Sequence, residues 1–160
     1  MNSDALRLHK SLLECQKHIE RLTIAYEQLI PLFPLTTQSY QLFNDVQLSY
    51  LDQYLYRFAK LQDSLGQKVF KAVLLYKKED LSDKAFIDIV NRLHQLNYID
   101  DTERWFELRL IRNQLAHDYE DNSEELVIIL NKIFSLKNTL ENYYVSIYQK
   151  LFSSINELSK

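Results

Sequence analysis

The chain is poor in everything that turns or cross-links a backbone: its 160 residues hold one glycine, two prolines and one cysteine. Hairpins need glycine-rich or asparagine-rich reversals between strands, so this scarcity leaves little material for a sheet. An all-α protein follows. The lone Cys15 excludes an internal disulfide, and no Cys/His cluster has metal-ligand spacing. Long apolar runs are also missing. The longest uncharged stretch, Gln28 to Asn44, holds both prolines and many polar residues, which makes it a linker and not a membrane span. Neither sign of charge dominates: the formal net charge is −3, so the molecule lacks the footprint of a general nucleic-acid binder. Any nucleic-acid contact must be local. The N-terminal residues lack a signal peptide's apolar core, and a cytoplasmic protein is expected.

What the chain does have is length for one sizeable core and an excess of rings, eleven Tyr and eight Phe. More aromatic area than one core requires points to a partner surface, and a homodimer is the expectation.

Helical spacing of Leu6, Leu13, Leu22 and Leu29 predicts a first helix over residues 3 to 30, ended by the Pro31 to Pro34 linker at 31–37. Only Gly66 punctuates residues 38 to 76, which predicts one long second helix, bent at that glycine. At ~100° per residue, Arg57, Lys60, Lys68, Lys71 and Lys78 fall within an arc of roughly 80°, opposite Phe58, Leu65, Val69 and Tyr76. Ser82 is the expected cap of a third helix that buries Phe86, Ile89, Val90 and Leu93 and ends near Asn97. Asp100-Asp101-Thr102 supplies caps for a fourth, with Trp105, Leu108, Ile111 and Leu115 on one side. Asn122 and Glu125 resemble a capping box opening a last helix to about Phe152 on Leu126, Ile129, Ile133, Leu136, Leu140 and Ile147. The sum is a single-domain up-and-down bundle of about five helices.

Chemistry concentrates in one octapeptide, Arg112 to Tyr119: a permanent cation, an imidazole that titrates near neutrality and a phenol. On an ideal helix Arg112 and His117 point ~140° apart, whereas Asn113 shares a face with both Arg109 and His117. Either the helix ends near Ala116, or two copies meet across a twofold axis. Cleaving RNA without a metal needs a base for the 2′-hydroxyl, an acid for the 5′-oxygen and a cation for the phosphorane charge. Two His117 side chains across a dimer would supply acid and base, with Arg112 gripping phosphate and Asn113 and Tyr119 in support. The plain alternative is a histidine interacting with the helix dipole and an Arg112 paired with Asp118 or Glu107.

At these residues the chain resembles a HEPN domain, the all-helical family whose nuclease members carry Arg, four variable residues, then His. Arg112…His117-x-Tyr119 is similar to the pattern of HepT-type toxins and of substrate-binding partners of minimal nucleotidyltransferases. Arg57-Phe58, Tyr98-Ile99-Asp100-Asp101, Trp105 and Arg112-Asn113 extend the likeness over about residues 45 to 150, leaving the N-terminal helix and the linker without a counterpart. The resemblance implies a dimer with a composite cleft, metal-independent RNA cleavage without a cofactor, and a nucleotidyltransferase antitoxin that transfers AMP to the tyrosine matching Tyr119. Arg57, Lys60, Lys68 and Lys71 are candidate contacts to the RNA backbone.

Two other functions fit the same residues. One is a noncatalytic subunit whose Arg112 and His117 hold a nucleotide for a partner enzyme. The other is a helical adaptor binding protein through Tyr143, Tyr144 and Tyr148, residues whose ordinary role is packing. His9, His18 and His94 read as surface or packing residues, and Glu14, Glu20 and Glu27 as solvated charges.

Overall fold

The computed structural model describes the backbone of residues 2–115 and 122–158 and the side chains of that range through Ser153. Among the described residues every regular element is helical: α1 Ser3–Leu29, α2 Thr37–Gln41, α3 Asp45–Ser64, α4 Phe70–Tyr76, α5 Phe86–Gln95, α6 Thr102–Gln114, α7 Ser123–Ser135 and α8 Lys137–Leu158. A 3-10 turn, Ile30–Leu32, follows α1, and a π segment, Leu65–Val69, joins α3 to α4 in one rod. Counting that rod once and setting aside the short α2, six substantial helices stand where about five were expected.

The first helix forms where the spacing placed it, but its buried face is a different one. Asn2 caps it by accepting from the Ala5 amide at 2.7 Å. The residues turned inward are Leu8, Ser11, Cys15, His18, Leu22, Ala25 and Leu29, an alternating three- and four-residue seam. Leu6 and Leu13 stay 42% and 51% exposed. Small and polar residues hold four of the seven seam positions, so hydrophobicity alone selected the wrong stripe in the N-terminal half. The reason for the small residues is close packing: α1 lies antiparallel along the α3–α4 rod, with Gln53 Nε2 donating to the Arg21 carbonyl at 2.9 Å near one end and Lys78 facing Asp4 at 3.5 Å near the other.

Pro31 sits in the 3-10 turn, and the Phe33–Pro34 peptide is cis. This linker is fastened to α7. Phe33 stacks on Phe134 with centroids 3.8 Å apart, and the Asn131 side chain pairs with both the N–H and the C=O of Leu35, at 2.7 and 2.9 Å. The second helix begins later than expected. Residues 37–41 form only the short α2, and Asn44 with Gln47 makes a reciprocal capping box that starts α3 afresh. Asn44 was hidden inside a run read as continuous helix, because a capping asparagine looks like any polar helix residue until its backbone dihedrals are known.

Ser82 does not cap α5; its N–H bonds to Asp80, and the helix starts at Phe86 with Asp88 reaching back to the Ala85 amide at 2.9 Å. Asn97 ends it as expected, at φ 64°, with Tyr98 N–H reaching the Leu93 carbonyl at 2.9 Å. The last predicted helix is two helices. Leu136 breaks it, and the Tyr54 hydroxyl donates to the Ile133 and Phe134 carbonyls at 3.0 and 3.2 Å, serving groups that the helix end leaves open.

Gly66 lies in the π segment, whose Phe70 N–H reaches back to the Leu65 carbonyl. A Cβ there would stand 2.9 Å from Cζ2 of Trp105 on α6, so the sole glycine is what lets the rod and α6 touch. Trp105 is 1% exposed and packs on Phe70 and Tyr143, with centroids 4.6 and 5.1 Å away. This contact fixes where α6 and its arginines sit.

Candidate functional site

Asp101 starts α6 by accepting from the Arg104 amide at 2.9 Å, and the Tyr143 hydroxyl donates to the Asp101 carbonyl at 2.7 Å, pinning that end to α8. Trp105, Leu108 and Ile111 then bury one stripe of the helix. With that stripe inward, Arg109, Arg112 and Asn113 open onto a cleft of about 500 Å³ between α6 and the rod. Opposite them stand Asp63, Gln67 and Lys71, and Phe86 of α5 closes one side.

Arg112 grips Asp63 with two parallel contacts, Nε to Oδ1 and Nη2 to Oδ2, both 3.3 Å. The two side chains are 33% and 30% exposed, so the pair is half-solvated and holds Arg112 in place more than it stabilises the fold. Arg109 lays its guanidinium over the Phe86 ring at 4.5 Å. The side chains of Lys71 and Asn113 make no hydrogen bond or ion pair with a described residue. Three cations thus face one carboxylate in a concave space. Two further wall residues, Gln62 and Trp105, bury Oε1 and Nε1 with no hydrogen-bond partner among the described residues.

Asp63 is a partner of Arg112 that the sequence did not suggest. Glu107 pairs with Arg104 at 3.3 Å instead, and Asp118 lies outside the described residues. So do His117 and Tyr119, which follow the end of α6 within segment 116–121. Of the four candidate backbone-contact cations, Lys71 shares the cleft with Arg112. The others are elsewhere: Arg57 donates to Nδ1 of His18 at 2.9 Å, Lys60 lies over the Tyr56 ring at 5.6 Å, and Lys68 pairs with Glu14 at 2.9 Å. Arg57 and Lys68 both face α1, at His18 and Glu14 one helical turn apart, and Lys71 lines the α1 side as well as the cleft. Asp63 carried no signal in the sequence, since it lies 49 residues from Arg112 on another helix.

No family model, curated protein or solved structure matches this chain. The site therefore stands on its own geometry. No group of three or more His, Cys, Asp and Glu among the described residues could hold a metal ion, and no described helix is long and apolar enough to cross a membrane. Beyond the cleft, His18 has an unusual setting for a residue assigned to packing. It is buried, and because Arg57 can only donate, Nδ1 must accept and the ring must be neutral. Burial, followed by the neighbouring Arg57 charge, lowers its pKa from the ordinary value. Glu14 is likewise more than a solvated charge: it meets Lys68 across the helix pair, and although burial opposes the shift, the Lys68 contacts leave its pKa lowered. Tyr143 is buried, whereas Tyr148 is 47% exposed and stacks on Tyr144 and Phe152.

Proposed function

We propose that this chain is a HEPN-like, metal-independent endoribonuclease toxin, acting as a homodimer and restrained by a nucleotidyltransferase antitoxin. The observation that carries the reading is the convergence of Lys71, Arg109 and Arg112 in one cleft at the end of α6, immediately before the His117-x-Tyr119 segment. In the reaction, the 2′-oxygen attacks phosphorus while a base takes its proton, and the P–O5′ bond breaks as an acid protonates the departing oxygen. His117 from each of two copies would provide base and acid, and the Arg112 fork would bind the phosphate oxygens that gain charge. Asp63 would release or share Arg112 when phosphate arrives, and Asn113 would orient the imidazole or hold a sugar hydroxyl. Tyr119 is the proposed acceptor of AMP, where a bulky anion would repel the substrate.

The test is cleavage of a labelled RNA in excess EDTA. Wild type should leave 2′,3′-cyclic phosphate ends, and His117→Ala should slow the reaction by about 10²–10⁴-fold with the fold intact. A second reading is a noncatalytic subunit that holds a nucleotide for a partner enzyme, with Arg112 exchanging Asp63 for a nucleotide phosphate. The cleft volume also suits one small ligand. That reading predicts nucleotide binding and no RNA cleavage.

A further inference from the structure

A second groove, of about 550 Å³, runs between α1 and α4 and shares a wall with the Arg112 cleft. Gln67 and Lys71 line both spaces. On the far side of that wall are Lys68 of the rod and Arg7, Lys10 and Glu14 of α1. Six cations, Arg7, Lys10, Lys68, Lys71, Arg109 and Arg112, therefore border this two-part depression, whose halves adjoin at Gln67 and Lys71, and the acidic side chains that line it are Glu14 and Asp63. Each of those two is committed to one cation, Glu14 to Lys68 at 2.9 Å and Asp63 to Arg112 at 3.3 Å.

This placement is not what a chain of net charge −3 produces by spreading its charges evenly. Elsewhere Arg92 is paired with Glu79 at 2.7 Å and Arg104 with Glu107 at 3.3 Å, while the exposed Arg21 has no ion pair with a described residue. Along the depression, Arg7, Lys10 and Lys71 make no ion pair with a described residue. Its geometry follows from the fold: α1 runs antiparallel to the rod, so Arg7 and Lys10 lie across from the α4 turn that carries Lys71. Apolar groups, Leu6, Ala72 and Leu75, line the groove between the cations, and Phe86 lies in the adjoining cleft. Alternating cations and apolar surface in a concave track suit a flexible strand of phosphates and bases better than a flat lipid surface.

We propose that this depression is a binding track for single-stranded RNA, in which Arg7 and Lys10 of the N-terminal helix hold backbone phosphates and Lys71 passes the strand to the Arg112 cleft. It gives α1 a function, and it replaces Arg57 and Lys60 with Arg7 and Lys10 as the backbone contacts. The proposal rests on the nuclease reading only for what happens to the phosphate that reaches Arg112.

Binding can be separated from cleavage with a long 2′-O-methyl oligouridylate, which has no free 2′-hydroxyl to attack phosphorus. Its affinity for the full chain would be followed by fluorescence anisotropy over a range of salt. Arg7→Gln/Lys10→Gln, both exposed positions, should bind about tenfold more weakly, and the log–log salt slope should be less negative by ~1.4, two phosphate contacts at ~0.7 each. Lys84→Gln/Lys132→Gln makes the same charge change off the track and should match wild type. An unchanged affinity and slope in the Arg7/Lys10 variant, or no binding by wild type, overturns the track whether or not RNA is cleaved. Equal loss in the control pair reduces it to net charge, and equally tight, equally variant-sensitive binding of polyglutamate or anionic vesicles overturns the assignment to RNA. Binding with the expected slope but no cleavage of ordinary RNA keeps the track and rejects the nuclease.

Discussion

Gly66→Ala sets two effects of opposite sign against each other at the contact that positions α6. In a helix interior, alanine is favoured over glycine by up to ~1 kcal/mol, so propensity alone predicts a more stable protein. The new methyl would stand 2.9 Å from Cζ2 of Trp105, against an ordinary carbon–carbon separation of about 3.5–4.0 Å. The indole has nowhere easy to go: it is 1% exposed and held by Phe70 at 4.6 Å and Tyr143 at 5.1 Å. Forcing a methyl into such a core costs about 1–3 kcal/mol, which exceeds the propensity gain at most of that range. The expected net result is a loss of up to about 2 kcal/mol, or up to roughly 8 °C in Tm for a chain of this size. Urea unfolding followed by fluorescence suits the case, because Trp105 is the only tryptophan and reports the strained contact directly. In a Trp105→Phe background, where the only tryptophan is gone and unfolding is followed by helical circular dichroism, the smaller ring makes room and the same Gly66→Ala change should become neutral or stabilising. Stabilisation by Gly66→Ala in the wild-type background would refute the reasoning, since the packing conflict would then be smaller than the propensity term.

Two further predictions concern buried groups of α1. His18 has a folded pKa below its unfolded value of about 6.5, so its contribution is present above that pH and is lost as pH falls towards the folded pKa; the wild-type urea midpoint should drop on acidification and His18→Gln should flatten that drop. An equal acid loss in His18→Gln would assign the effect to other groups. Cys15 is fully buried, and its thiol is pushed up from 9.0 to about 12, mainly by burial. Here the proton is held more tightly in the folded state, so stability falls as pH rises from about 9 to about 12. Near neutral pH the native thiol should resist a disulfide exchange reagent and react only as fast as the chain unfolds; immediate reaction of the folded protein would contradict its burial.

How much of this was legible in the sequence depended on whether a signal was local. The all-helical class, the Asp101, Asn97 and Asn122 ends, and the buried Trp105, Leu108 and Ile111 stripe were readable because caps and periodicity act within a few residues. The α1 seam misled because Ser11, Cys15, His18 and Ala25 pack inward for size and fit, a reason visible only from the neighbouring rod. Leu136 also looked like one more helix position. Its break comes where Tyr54, 79 residues away from Ile133, supplies the hydrogen bond that the helix gives up.

The sequence by itself determined that the chain is helical and that Arg112 and Asn113 lie at the end of a helix, because backbone hydrogen bonding and turn chemistry are decided between near neighbours. Which charges meet was decided only by tertiary structure. Packing at Gly66 brought Asp63 and Lys71 to Arg112, while Arg57 met His18 and Lys68 met Glu14 on α1. Side-chain electrostatics acts over a few ångströms in space, and spacing along the chain does not encode that distance.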